Sequence, residues 1–203
     1  MNILLIDDHM LFAKSLSVAL DEYDEIEHFY STKDLQALNK LIDDKNIDII
    51  LMDINLSNIT DADGLEIASN LLKSKPSLKI IILTGYDLPV YRYEAKKAGI
   101  SGFLNKNISP NELISSIIRV YHGGTCFPIE NDELIIEDLT DMEKKILHLI
   151  SNGKKRKCVA VELHISERTL SNHLQHIFEK LDVSSTLEAV TKAIQLGYIP
   201  PIS

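Results

Sequence analysis

The sequence predicts a doubly wound α/β domain, a five-stranded parallel sheet with helices on both faces, followed by a small all-α domain of four helices. Three observations carry this. Four short apolar runs in the first half, Ile3-Leu4-Leu5-Ile6, Ile49-Ile50-Leu51-Met52, Ile80-Ile81-Ile82-Leu83 and Phe103-Leu104, lead into polar residues: Asp7 and Asp8, Asp53, Thr84 and Lys106. Stretches of helical periodicity alternate with these runs. After residue 138 only helical patterns with start and stop signals remain.

The runs of the third and fourth strands, Ile49-Ile50-Leu51-Met52 and Ile80-Ile81-Ile82-Leu83, are continuously apolar rather than alternating, as strands covered on both faces require. Phe12, Leu16, Ala19/Leu20 and Tyr23 mark the first helix. The second strand, with the weakest pattern, is expected at about residues 25–29. Leu35, Leu38 and Ile42 mark the second helix, and Leu65, Ala68 and Leu72 the third. A fourth helix starts near Pro89. The fifth has the clearest start, Ser109-Pro110-Asn111-Glu112, which supplies an N-cap, a proline at the first helical position and a capping-box glutamate. Its buried stripe is expected to be Leu113/Ile114, Ile117/Ile118 and Tyr121, and Gly123-Gly124 ends it.

Residues 123–137 are acidic, lack periodicity and read as a linker between a domain at 1–122 and a domain at 138–203. Thr140-Asp141-Met142-Glu143 is a second capping box, opening a helix with Ile146, Leu147 and Ile150 that Asn152-Gly153 closes. Helices follow at about residues 155–163, after the cap Ser166, and from about Thr186 to Leu196, stopped by Gly197. Leu187, Val190 and Ile194 are expected to be core, with part of that face open to serving as an interface instead. Four short helices with tight turns resemble a helix-turn-helix DNA-binding unit.

The 203 residues suffice for two domains. No apolar run approaches the roughly 18–20 residues of a membrane span, so a cytoplasmic protein without membrane attachment is expected. Cys126 and Cys158 form no CxxC pair, which favours two free thiols. Residues 1–122 carry 12 Lys and Arg against 18 Asp and Glu, and residues 138–203 carry nine against eight. The block Lys154-Lys155-Arg156-Lys157 lies in the latter part, so a nucleic acid is expected to meet only that domain.

In the flavodoxin-like strand order, strand 1 lies between strands 2 and 3, and the carboxyl ends of strands 1 and 3 meet at the switch point. Asp7, Asp8 and Asp53 then share one crevice with Thr84 and Lys106. Clustered carboxylates repel unless a cation is present, and Mg2+ prefers such oxygen ligands. Phosphoryl transfer asks for this set: an accepting carboxylate, a metal, a hydroxyl and an ammonium group. Taken singly, Asp8 and Thr84 would serve as well as helix caps and Phe103 as a core aromatic.

Asp7-Asp8, Asp53, Thr84 and Lys106 together resemble the receiver domain of two-component response regulators over about residues 1–122. The resemblance implies that Asp53 accepts a phosphoryl group from a sensor histidine kinase. It also implies that Asp7, Asp8, Asp53 and the Asn55 carbonyl hold Mg2+, that Thr84 and Lys106 engage the phosphoryl group, and that Phe103 is a switch aromatic. Asn55 and Tyr86 fall where the dephosphorylating water is admitted or excluded. The loop from Asn55 to Gly64 is longer than the family's usual Met-Pro loop and lacks proline, so an unusual lifetime of the phosphorylated state is expected.

Leu139-Thr140, Glu143, Ile165-Ser166-Glu167-Arg168-Thr169-Leu170 and Asn172-His173-Leu174 resemble the LuxR-type helix-turn-helix, and with the receiver they point to the NarL/FixJ class. At about 100° per residue, Leu170, Leu174, Ile177 and Leu181 form one stripe, while Arg168, Asn172, Gln175 and His176 lie opposite. The family's base-contacting positions fall on Ser171, Asn172 and Gln175, with Lys154, Lys155, Arg156 and Lys157 placed to meet phosphates. His173 and His176 have helical metal spacing, but no cysteine or carboxylate completes a zinc set.

The expected function is therefore a phosphorylation-controlled transcription factor that binds double-stranded DNA as a homodimer when phosphorylated. A regulator that works without phosphorylation is the alternative. A Mg2+-dependent aspartyl phosphatase is a weaker one, because that chemistry wants an Asp two residues after the nucleophile and His9 follows Asp7-Asp8.

Overall fold

The computed structural model describes residues 1–56, 59–60, 63–128 and 137–199. The chain divides into two compact units, one chiefly Met1–Asp87 with Tyr91–Asn131 and the other chiefly Asp132–Ser203. Among the described residues, no helix is long and apolar enough to cross a membrane.

The first unit alternates β1 (Asn2–Ile6), α1 (Met10–Leu20), β2 (His28–Thr32), α2 (Leu38–Asp44), β3 (Ile49–Met52), α3 (Gly64–Ser74), β4 (Lys79–Thr84), α4 (Pro89–Lys97), β5 (Gly102–Asn105) and α5 (Pro110–Tyr121). The strands are all parallel in the order β2-β1-β3-β4-β5. Because side chains alternate across a strand, the apolar runs feed two cores. Leu4, Ile6, Ile50, Met52, Ile80 and Ile82 pack with α2, α3 and Ala95 of α4. Ile3, Leu5, Ile49, Leu51, Ile81 and Leu83 pack with α1 and α5. Unbroken apolar strands follow from this double coverage.

Three details differ from the sequence expectation. Strand 2 begins three residues later than expected, at His28, where Asn2↔His28 to Ile6↔Thr32 set its register. It is an edge strand with no fully buried residue, so it has no continuous apolar run to betray it. On α3 it is Leu71 that is buried, with Leu72 half-buried. On α5 the stripe ends on the fully buried Val120, not on Tyr121, whose ring at the helix end carries the Lys79 ammonium 5.0 Å from its centroid.

Beyond α5, Cys126 lies alongside β5. The Phe103 amide donates to the Cys126 carbonyl at 2.7 Å, and the Cys126 amide donates to the Ser101 carbonyl at 3.0 Å. The approach is so close that a Cβ on Gly102 would overlap Cys126 Sγ. Both cysteines are free thiols, and burial pushes the Cys126 pKa up to about 11.

The second unit comprises α6 (Asp141–Ser151), α7 (Arg156–Glu162), α8 (Glu167–Leu181) and α9 (Thr186–Leu196). Its core joins Ile146 and Leu147 of α6, Val159 of α7, the stripe Leu170, Leu174, Ile177 and Leu181 of α8, and Ala189, Val190 and Ala193 of α9. Leu187 is 77% exposed and so corrects the core expectation, while Val190 is buried and Ile194 packs against the core. At about 100° per residue Leu187 falls outside the stripe that Ala189, Val190 and Ala193 form, beyond its Val190 edge.

Candidate functional site: the acidic crevice and the exposed face of α8

The crevice follows from strand register. The Asp53 amide donates to the Ile6 carbonyl at 3.0 Å, which fixes Asp53 at the end of β1, beside Asp7. The Lys106 amide donates to the Thr84 carbonyl at 2.9 Å, which brings Lys106 to the end of β4. Its ammonium then lies 2.6 Å from Asp53 Oδ2 and 2.7 Å from Asp7 Oδ2, and 4.9 Å from the centroid of the Phe12 ring. Burial alone would lower the Lys106 pKa. The hydrogen bonds and charges of Asp53 and Asp7 outweigh it and raise the pKa above the ordinary lysine value.

The three carboxylates are sunk in the protein, with Asp7 only 6% and Asp53 only 2% exposed. Asp53 Oδ1 has no hydrogen-bond partner among the described residues. A buried carboxylate oxygen left in that condition carries a desolvation cost that a bound cation would offset. Asp8 does not cap α1, because the N-cap position is His9. The His9 amide donates to Asp7 Oδ1 at 2.8 Å, and its ring Nδ1 lies 3.0 Å from Asp7 Oδ1 and 2.7 Å from Asp8 Oδ1. Sequence reasoning gave His9 no part in the site, though the amide bond back to Asp7 two residues earlier is the turn that an Asp-Asp-His sequence favours.

A crevice of about 680 Å³ opens over this cluster and is lined by Asp53, Lys106, His9, Phe12, Asn55 and Tyr86, among others. Asn55 and Tyr86 thus come to the mouth beside Asp53, with Tyr86 half-exposed. Thr84 is fully buried at the end of β4, where its hydroxyl accepts from the Tyr86 amide at 3.2 Å. Phe103 is also fully buried, in the core shared with α2, α3 and α4.

Of the loop from Asn55 to Gly64, Ser57, Asn58, Asp61 and Ala62 lie outside the described residues. Its return is tight. The Gly64 amide donates to the Ile54 carbonyl at 2.9 Å, and a Cβ there would overlap the Asp53 carbonyl oxygen. Asp63 then caps α3 by accepting from the Glu66 amide at 2.8 Å. Glycine at 64 is what lets the start of α3 lie so close to the Asp53 carbonyl.

In the second unit α8 is pinned from beneath. Glu143, only 3% exposed, closes the capping box with Thr140 and accepts from the Lys180 ammonium at 2.8 Å. Burial would raise the Glu143 pKa, but the bonds from Lys180 and Thr140 lower it. The opposite face of α8 is open, with Arg168, Ser171, Asn172, Gln175 and His176 all exposed and His173 half-buried beside the apolar stripe. Two of the predicted readers have partners within the helix: the Ser171 hydroxyl donates to the Glu167 carbonyl at 2.9 Å and the Gln175 amide to Glu179 Oε1 at 3.0 Å. In the basic block, Lys154 pairs with Glu162 at 2.6 Å and Arg156 donates to the Thr186 hydroxyl at 2.6 Å, while Lys155 and Lys157 are exposed.

Residues 3–118 match the family described as the response regulator receiver domain, and residues 137–193 match the bacterial regulatory proteins of the luxR family. The transcriptional regulatory protein DesR of Bacillus subtilis is 32% identical over 200 residues, covering 97% of this chain and 98% of its own. The transcriptional regulatory protein DegU of Brevibacillus brevis is 28% identical over 225 residues, covering 97% and 94%. The crystal structure of the response regulator ChrA, from a heme-sensing two-component system, superposes with a TM-score of 0.51 at 28% identity over 98% of both chains. A structure of RcsB from Salmonella enterica serovar Typhimurium shares the fold, with a TM-score of 0.69 at 21% identity over 95% of this chain and 97% of that one. With both units matched in order along nearly its whole length, the chain belongs to the two-component response regulators that join a receiver domain to a LuxR-type helix-turn-helix DNA-binding domain.

Proposed function

We propose that this response regulator is a phosphorylation-dependent transcription factor of the cytoplasm, with Asp53 as phosphoacceptor, a sensor histidine kinase as donor and double-stranded DNA as target. The observation that carries the proposal is the state of Asp53: buried at a strand end in an open crevice, one carboxylate oxygen held by Lys106 and the other without a hydrogen bond. An Asp53 oxygen would attack the phosphorus of a phosphohistidine, an O–P bond forming as the P–N bond breaks and the imidazole leaves.

The buried oxygens of Asp7, Asp8 and Asp53, with the carbonyl of Asn55, suit Mg2+, which when bound would neutralise charge on the phosphoryl oxygens. The chain's own residues do the rest. Lys106 supplies a fixed positive charge at the acceptor, and Thr84 offers a hydroxyl at the neighbouring strand end. Movement of Thr84 toward the phosphoryl group would vacate space for Phe103 to follow, biasing a two-state surface on the first unit.

For the second unit, the exposed Arg168, Ser171, Asn172 and Gln175 fit base reading in the major groove, and Lys154, Lys155, Arg156 and Lys157 fit phosphate contacts. The RcsB structure named above is bound to a promoter in the presence of a phosphomimetic, which is in keeping with DNA binding by the second unit. We include pairing of two phosphorylated chains on two half-sites in the proposal.

Footprinting of genomic DNA with and without a small acyl phosphate and Mg2+ tests it, with Asp53→Ala beside the natural protein. The expected result is protection that strengthens on phosphorylation of the natural protein only. Identical footprints under all four conditions would establish a regulator that works without phosphorylation, and sustained hydrolysis of a generic phosphate ester would establish a phosphatase.

A further inference from the structure

His9 occupies the N-cap position of α1, yet its side chain makes no capping hydrogen bond. Its ring is turned to the acids instead, with Nδ1 at 2.7 Å from Asp8 Oδ1 and 3.0 Å from Asp7 Oδ1. One ligand-type atom from each of Asp7, Asp8, His9 and Asp53 lies within 4.8 Å of all the others. The acids alone would not establish a ligand. The second observation is Asp53 Oδ1, in a side chain 97% buried, which lacks a hydrogen bond.

Neighbouring ligands of an octahedral ion with bonds of about 2.1 Å stand about 3.0 Å apart. The imidazole Nδ1 already stands close to that distance from each of the two carboxylate oxygens, at 3.0 and 2.7 Å. Lys106 does not compete for these positions, because it engages the other oxygen of Asp7 and the Oδ2 of Asp53. The His9 side chain is 58% exposed while those of Asp7 and Asp8 are almost wholly buried, so the ring stands where an entering ion would first meet the cluster.

We propose that His9 makes the acidic crevice a mixed oxygen and nitrogen site, which takes a divalent first-row transition ion more tightly than Mg2+, with His9 Nδ1 as a ligand. The inference rests on the reading of Asp7, Asp8 and Asp53 as a cation site. Its physical basis is ligand hardness: Mg2+ gains little from imidazole, whereas Mn2+ through Zn2+ gain progressively more. His9 is then a selectivity residue for the ion rather than part of phosphoryl transfer itself.

Calorimetric titration of the full chain with Mg2+, Mn2+ and Co2+ tests it, repeated on His9→Gln. The Co2+ to Mg2+ affinity ratio should fall at least tenfold in the variant. Mn2+-loaded protein labelled with 15N-histidine should show nitrogen hyperfine coupling that His9→Gln abolishes. An unchanged ratio with no nitrogen coupling, while Mg2+ still binds, would overturn the role of His9 and leave the cation site standing. If no ion binds the natural protein, both readings fall together.

Discussion

The acidic crevice and the exposed face of α8 both gather polar side chains, but in opposite surroundings. Asp7 and Asp53 are buried and held by Lys106 and by the ends of three strands. Arg168, Ser171, Asn172 and Gln175 stand in water on a helix whose other side is pinned to the core. In the crevice, the proposed function and stability draw on the same contacts, since each charge is tolerated only because another lies against it. On the helix face the two are separable, because removing an exposed side chain leaves nothing buried without a partner.

The largest expected break is Lys106→Ala, which leaves two buried carboxylates facing each other. It should lower the stability of the first unit by about 3 kcal/mol, as for other broken buried pairs, read from the denaturant midpoint, with partial recovery on adding Mg2+. An unchanged midpoint would put the crevice on a par with the helix face. Next come Asn172→Ala and Gln175→Ala, each expected to cost about 1–3 kcal/mol of affinity for a specific DNA site. Their melting temperatures should match the natural protein's. Neutralising Lys155 and Arg156 should weaken binding to all sequences and flatten the dependence of log affinity on log salt.

Glu143 sharpens the comparison within the second unit. Its pKa is lowered in the folded state from 4.5, so the bonds from Lys180 and Thr140 stabilise the unit above that value, and their contribution is lost as the pH falls through the folded pKa. Glu143→Gln should therefore reduce stability at neutral pH and remove part of its fall in the acid range below 4.5, by roughly 1 kcal/mol in a chemical-denaturation series. A pH profile parallel to that of the natural protein would exclude the carboxylate as the cause. The smallest expected effect is that of Tyr86→Ala. With the ring gone from the mouth of the crevice, label should leave phosphorylated Asp53 a few-fold faster, and equal lifetimes would remove Tyr86 from any part in timing.

Much of this arrangement is legible in the sequence because it rests on strong local rules. Continuous apolar runs locate β1, β3 and β4, and both capping boxes, Ser109 with Glu112 and Thr140 with Glu143, form as their spacing requires. From the strand ends, a known sheet order is enough to gather Asp7, Asp8, Asp53 and Lys106. What escapes the sequence depends on tertiary position. The register of β2 is set by its pairing with β1, not by a pattern of its own. Tyr121 has the right helical angle but sits at the last residue of α5. The part His9 takes depends on which way a cap residue turns its ring, which periodicity does not encode.

The parallel bridge between Gly102 and Cys126 bears on a different hazard. As the last strand of the sheet, β5 would present unpaired amides and carbonyls, a template on which another chain could add a strand. The segment around Cys126 takes up the Phe103 amide and the Ser101 carbonyl at that edge, and the absence of a side chain at Gly102 lets it lie close. The chain thus blunts its own edge with backbone from the end of the first unit. At Gly102 that edge is closed to the addition of a strand, which leaves β2 as the other edge of the sheet.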